Sequence, residues 1–148
     1  MKENDFADIL WKYFELHSNQ RMQMMNFYLI IESLFVTGFI TLAANSEDLT
    51  FYKLGICAAI IFFSWIFYKL DLRTRNMIKR CEKSLMKIED EYRQFGEEIM
   101  IFTQDEKETS QNKELTYSKI LKIQYLFFTL MGLICIILVI MQKVCAVG

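Results

Sequence analysis

IQYLFFTLMGLICIILVIM, Ile123–Met141, is a run of 19 residues without one charged side chain. An α-helix rises 1.5 Å per residue, so about 20 residues cross a hydrocarbon core of about 30 Å. This stretch therefore reads as a membrane-spanning helix. Two earlier stretches fit the same template. MMNFYLIIESLFVTGFITLAAN, Met24–Asn45, carries a single acid, Glu32, and LGICAAIIFFSWIFYKL, Leu54–Leu70, lies near the short end of the spanning range. The first twenty residues are acidic and amphipathic, which argues against an N-terminal signal peptide.

The composition agrees with this reading. Of 148 residues, 53% are hydrophobic and 15% aromatic, with 5 Gly and no Pro. That is too apolar for a disordered chain and too poor in turn formers for a many-stranded β protein. Charged residues still make up 24%, so charged and apolar material must be segregated along the chain. The net charge of −1 excludes a bulk nucleic-acid binder. Its distribution is informative all the same. Three basic residues precede the first span and twelve lie from Lys69 to Lys122, against Lys53 and Lys143 alone on the other side. By the positive-inside rule, the N-terminus and the middle segment are expected in the cytoplasm and the C-terminus outside.

The segments between spans are patterned for helix. Phe6, Ile9, Leu10, Tyr13, Phe14 and His17 recur at i, i+3, i+4, i+7, i+8 and i+11, one face of a helix with Asn4 or Asp5 as its N-cap. Ile78, Cys81, Leu85, Ile88, Tyr92, Phe95, Ile99 and Phe102 alternate in steps of three and four, the pattern of a coiled-coil seam. Gln104–Lys113 is polar and turn-like, and Glu114–Lys122 reads as a short helix leading back to the third span. That returning helix is too short to cover the seam, which makes a homo-oligomer, tetramer to octamer, the expected state. The expectation is an all-α membrane protein in four parts. These are an N-terminal amphipathic cytoplasmic helix (1–22), a transmembrane hairpin (23–70), a long cytoplasmic coiled-coil stalk (71–122), and a third transmembrane helix with an outer tail (123–148).

Three groups of residues are functional candidates. Glu32 lies midway in an apolar span, where an acid costs on the order of 2.5–3.5 kcal/mol and must face water, a cavity or a partner. Ser33, Thr37 and Thr41 form a stripe beside it, with Asn26 one heptad earlier, which suits a water-lined conduit built from several copies of span one. The competing reading has Glu32 protonated or bonded to a Ser or Tyr inside a packed bundle, with Ser and Thr only joining helices. Arg75, Lys79, Lys83 and Lys87 descend at i+4 spacing with Arg73 and Arg80 beside them. Repeated about an axis, they suit an anionic nucleotide or oligonucleotide; a solvated flank paired with Glu82, Glu89 and Glu91 is the alternative. His17, Gln20 and Arg21 share one side of the first helix where it meets the membrane surface.

The chain shows no catalytic motif, no metal-ligand spacing and no cofactor fingerprint, so neither an enzyme nor a cofactor is expected. Cys57, Cys81 and Cys135 act as small hydrophobes, and Cys145 lies on the outer side.

Trp11–Leu34, with its H-x-x-Q-R and N-F-Y words at His17–Tyr28, and Lys69–Glu89, with L-D-x-R at Leu70–Arg73, resemble the RipA family of small bacterial octameric membrane proteins. The layout is also similar to SLATT-type membrane effectors of antiphage systems and to the membrane partner in Hailong defence. The resemblance implies a homo-oligomeric membrane effector: a pore or ion channel controlled by a nucleotide or oligonucleotide from a partner nucleotidyltransferase. The alternative is a non-conducting membrane scaffold whose coiled coil recruits a cytoplasmic partner.

Overall fold

The computed structural model describes residues 3–45, 49–92, 100–111 and 116–147, and all regular structure among them is α-helix. In chain order the helices are α1 (Glu3–Ala43), α2 (Thr50–Glu91), α3 (Ile101–Gln111) and α4 (Tyr117–Val147). α1, α2 and α4 are each long and apolar enough to cross a membrane. Without proline, nothing forces a break where apolar sequence gives way to polar, so α1 and α2 run on for 41 and 42 residues. α1 already includes Asn4 and Asp5, the residues expected from sequence as its N-cap.

The chain divides into two compact units. The first comprises Met24–Leu70 and Ser118–Gly148. Here α1 and α2 lie antiparallel, as Phe35 stacking on Phe63 at 5.4 Å and Tyr28 on Phe67 at 5.2 Å record. α4 returns antiparallel to α2: Tyr68 pairs with Tyr125 at 6.1 Å, and Gly132 lies against Cys57, Ile60 and Ile61. Tyr28, Leu121 and Tyr125 form the core where all three helices meet, with Met25, Phe67, Tyr68 and Phe128 packed around them. The outward faces stay apolar, with Phe27, Leu34, Phe62, Leu126 and Ile137 more than half exposed, as a surface bathed in lipid tails requires.

The second unit comprises Met1–Gln23 and Asp71–Tyr117. Here the structure departs from the continuous seam. α2 ends at Glu91, Phe95 and Ile99 lie outside the described residues, and Phe102 belongs to α3. Ile78, Cys81 and Leu85 are buried within one chain, so this part of the seam needs no second copy to cover it. Phe102 instead packs edge-on against Phe14 at 5.5 Å and Trp11 at 6.2 Å. The cause is Glu89. Its carboxylate accepts from the backbone amides of Phe102 and Thr103 at 2.9 and 3.1 Å and from the Thr103 hydroxyl at 2.9 Å. These are amides that a helix start leaves unsatisfied, so a side chain of α2 caps α3. The segment 104–111, expected as turn, is therefore helical, and residues 112–115 lie outside the described set. The N-terminal face is covered unevenly: His17 is buried and Leu10 and Phe14 are half-buried, but Phe6, Ile9 and Tyr13 are exposed.

At Gly132, α4 packs tightly against α2. A Cβ there would stand 2.8 Å from Ile61 Cγ1 and 3.3 Å from the Cys57 carbonyl oxygen. At Gly55 nothing lies within 4 Å of an added Cβ. Gly132→Val is expected to destabilise the purified protein by about 1–3 kcal/mol through overpacking, while Gly55→Ala leaves it unchanged or stabilises it by about 0.5–1 kcal/mol. Melting curves of both variants in one detergent check this contrast.

Candidate functional site

Glu32 is fully buried, on the face of α1 turned toward α2. The Ser64 hydroxyl donates to Glu32 Oε1 at 3.0 Å and stands 3.0 Å from the Tyr28 hydroxyl. With its own proton directed at the carboxylate, Ser64 accepts from Tyr28. The result is a polar chain, Tyr28 to Ser64 to Glu32, sealed inside an apolar bundle. Glu32 Oε2 has no hydrogen-bond partner. The two turns of α1 that present Tyr28 and Glu32 are one i, i+4 pair, so both meet a single residue of α2. Of the two readings of Glu32 from sequence, the arrangement inside one chain is bonding to a Ser within packed helices, with Tyr28 bonded to that Ser and not to Glu32.

The neighbouring stripe points elsewhere. Asn26, Ser33, Thr37 and Thr41 are all exposed. The Ser33 hydroxyl donates to the Ile30 carbonyl at 2.8 Å, Thr37 to Ser33 at 2.8 Å and Thr41 to Thr37 at 2.9 Å. Each hydroxyl thus satisfies its hydrogen on its own helix and turns its lone pairs outward. The structure therefore does not bring Glu32 and the stripe onto one surface: the acid faces inward and the hydroxyls face out.

The residues expected at the membrane surface take part in a different construction. Arg21 Nε lies 2.7 Å from Asp71 Oδ1 and Nη2 lies 3.3 Å from Oδ2, a two-pronged ion pair that is almost wholly buried. The same guanidinium stands 5.1 Å from the centre of the Tyr117 ring, and the Tyr117 hydroxyl contacts Met22 Sδ at 3.1 Å. One side chain of α1 thereby holds the α2 segment of the unit and the first residue of α4. His17 Nδ1 bonds Gln20 Oε1 at 2.9 Å, and its ring sits 4.2 Å from Tyr13.

The basic residues Arg73, Lys79, Arg80, Lys83 and Lys87 are exposed, and Arg75 is half-buried. Lys79 pairs with Glu82 one turn on. Glu89, expected to offset this stripe, is engaged instead at the start of α3.

Sequence reasoning passed over Ser64, Tyr28, Asp71, Tyr117 and the capping role of Glu89. A single Ser in an apolar run has no periodicity to betray it. Asp71 does carry a signal, being the one acid in the basic stretch Lys69–Arg75 and the first residue beyond a span.

The octameric membrane protein family matches residues 5–141. CD-NTase-associated protein 19 of Escherichia coli is 34% identical over 144 residues, covering 93% of this chain and 93% of that protein. No solved structure matches the chain.

Removing one member of a buried ion pair leaves the other uncompensated, at a cost of about 3–5 kcal/mol, whereas replacing both with apolar groups is nearly neutral. Arg21→Met and Asp71→Leu singly should each lower the melting temperature sharply, and the double variant should recover most of the loss. Additive losses in that cycle would mean the pair contributes nothing as a pair.

Proposed function

The chain belongs to the octameric membrane protein family, and from that premise we propose that it is a non-enzymatic homo-oligomeric effector of antiphage defence that conducts ions across the inner membrane under control of a cytoplasmic nucleotide or oligonucleotide. The observation that carries this reading is the outward ladder of Ser33, Thr37 and Thr41 on α1. Hydroxyl oxygens facing lipid would gain nothing from their lone pairs. Facing an axis shared by several copies, they replace part of an ion's hydration shell, and oxygens that have already donated favour cations. Asn26 extends the same face by one heptad.

Glu32 lies directly behind this wall, adjacent in sequence to Ser33. A carboxylate in a low-dielectric bundle acts over several ångströms, so it biases the conduit toward cations without touching them. The basic stripe Arg75, Lys79, Arg80, Lys83 and Lys87 supplies the ligand surface, because its side chains are largely solvent-facing and regularly spaced. The relative in Escherichia coli is named for association with a CD-NTase; a nucleotidyltransferase partner providing the signal to this chain is part of the proposal. The charge asymmetry favours a cytoplasmic N-terminus and an outer C-terminus.

Glu32→Gln preserves shape and the bond from Ser64, so the oligomer should survive while cation flux through reconstituted liposomes falls on the order of tenfold, equivalent to about 1.4 kcal/mol. Wild-type flux from the variant would make Glu32 purely structural. Lys79→Glu with Lys83→Glu should abolish control by an oligonucleotide and leave basal flux alone; regulation that persists removes the stripe from the mechanism. Purified protein that assembles but conducts nothing would favour the scaffold reading.

A further inference from the structure

Between α2 and α4 runs an open groove of about 610 Å³, large enough for a ligand of drug or lipid-chain size. Ala58 and Ile136 bound one end, and Trp65, Tyr68 and Lys122 bound the other. The helices are antiparallel with Tyr68 opposite Tyr125 and Ile61 opposite Gly132, so these ends correspond to one level each. At the Tyr68 level a second cation is present: Lys69 Nζ stands 6.0 Å from the centre of the Trp65 ring, and Trp65 is itself a wall of the groove. The groove is thus apolar along its length and positively charged at one mouth, with an aromatic collar of Trp65, Tyr68 and Tyr125 just inside.

From these features we infer that the groove is a binding site for an anionic glycerophospholipid, its phosphate between Lys69 and Lys122 and one acyl chain laid between α2 and α4. Three observations favour this occupant over a helix from another copy. The two lysines match a phosphate and no apolar helix face. Trp and Tyr sit where the headgroup boundary places them in membrane proteins generally. Finally, the groove extends from Lys122 to Ile136, roughly 20 Å at 1.5 Å per residue. That exceeds one leaflet of a core of about 30 Å but falls well short of its full thickness. A lipid tail needs only a groove of about its own leaflet's depth.

The position of the site also couples it to the buried acid. Ser64 and Thr129 lie in its wall, and the Ser64 hydroxyl is the one bonded to Glu32. A chain seated here packs against the turn of α2 that carries that buried hydroxyl.

The test uses the full-length protein with Trp11→Phe, which leaves Trp65 as the sole indole. Reconstitution is into phosphatidylethanolamine vesicles holding a minor fraction of chain-brominated phosphatidylglycerol, or the same fraction of chain-brominated phosphatidylethanolamine in otherwise unlabelled lipid. Two ammonium groups near the surface predict a preference for the anionic lipid on the order of tenfold, read as stronger quenching of Trp65. Lys69→Gln with Lys122→Gln, both at exposed positions, should equalise the two lipids without dissociating the oligomer. Ala58→Phe, also exposed, fills the deep end and should lower phosphatidylglycerol retained in native mass spectra although both lysines remain. Equal quenching by the two lipids in the wild type overturns the proposal, as does preference surviving the lysine substitutions. Absence of quenching by either lipid overturns it in favour of another copy covering the groove.

Discussion

A carboxylic acid in the middle of a lipid-spanning helix has no water to satisfy it, and the three-helix membrane unit is organised around that fact. Glu32 finds its partner on another helix of the same chain, the Ser64 hydroxyl of α2. Because Tyr28 reaches the same hydroxyl from one turn earlier, α1 and α2 are held at a single register along their axes. Tyr28 then supplies the ring against which Tyr125 and Phe128 of α4 pack, at 4.9 and 5.7 Å. The polar chain and the aromatic core are therefore one assembly with one shared residue. In a bilayer, where lipid tails are as apolar as Leu, packing shape and such buried polar bonds are what tell helices which faces to join.

The other unit solves a comparable problem with full charges. Arg21 and Asp71 are each too polar to be left alone away from water, and together they join the middle of α1 to α2 just beyond the apolar stretches. Glu89 plays the matching part for α3, trading a place among surface ion pairs for the unsatisfied amides of a helix start. In both cases an acid on α2 is matched to a donor brought by another element.

The spans were legible in the amino-acid sequence because they depend on composition summed over twenty residues, and no tertiary contact can reverse that sum. The helices around Phe6–His17 and Ile78–Ile88 were legible from the three-four spacing of their apolar residues. What misled was the apolar spacing that runs through Phe102. A three-four repeat reports that residues lie on one helical face only while the helix continues, and α2 ends at Glu91. Phe102 keeps its apolar partners, Trp11 and Phe14, by folding back, which the spacing alone does not reveal. The polar run after it looked like a turn because capping by Glu89 is a long-range contact with no local signature. Glu32 was identifiable as exceptional from its depth, but the direction in which it points was not. Adjacent residues on a helix lie about 100° apart, so Glu32 and Ser33 belong to different faces, and the choice between them is made by Ser64 across the bundle.

The hydroxyl ladder on α1 has one more implication, for symmetry. Ser33, Thr37 and Thr41 have committed their hydrogens to carbonyls of their own helix, so the ladder offers only acceptors to whatever approaches it. Two chains meeting through this stripe about a dyad would press oxygen against oxygen, with no proton between them. A head-to-tail ring, in which each chain contacts its neighbours through two unlike surfaces, never sets the stripe against itself. The internal bonding of three side chains thus disfavours a dyad contact through this stripe.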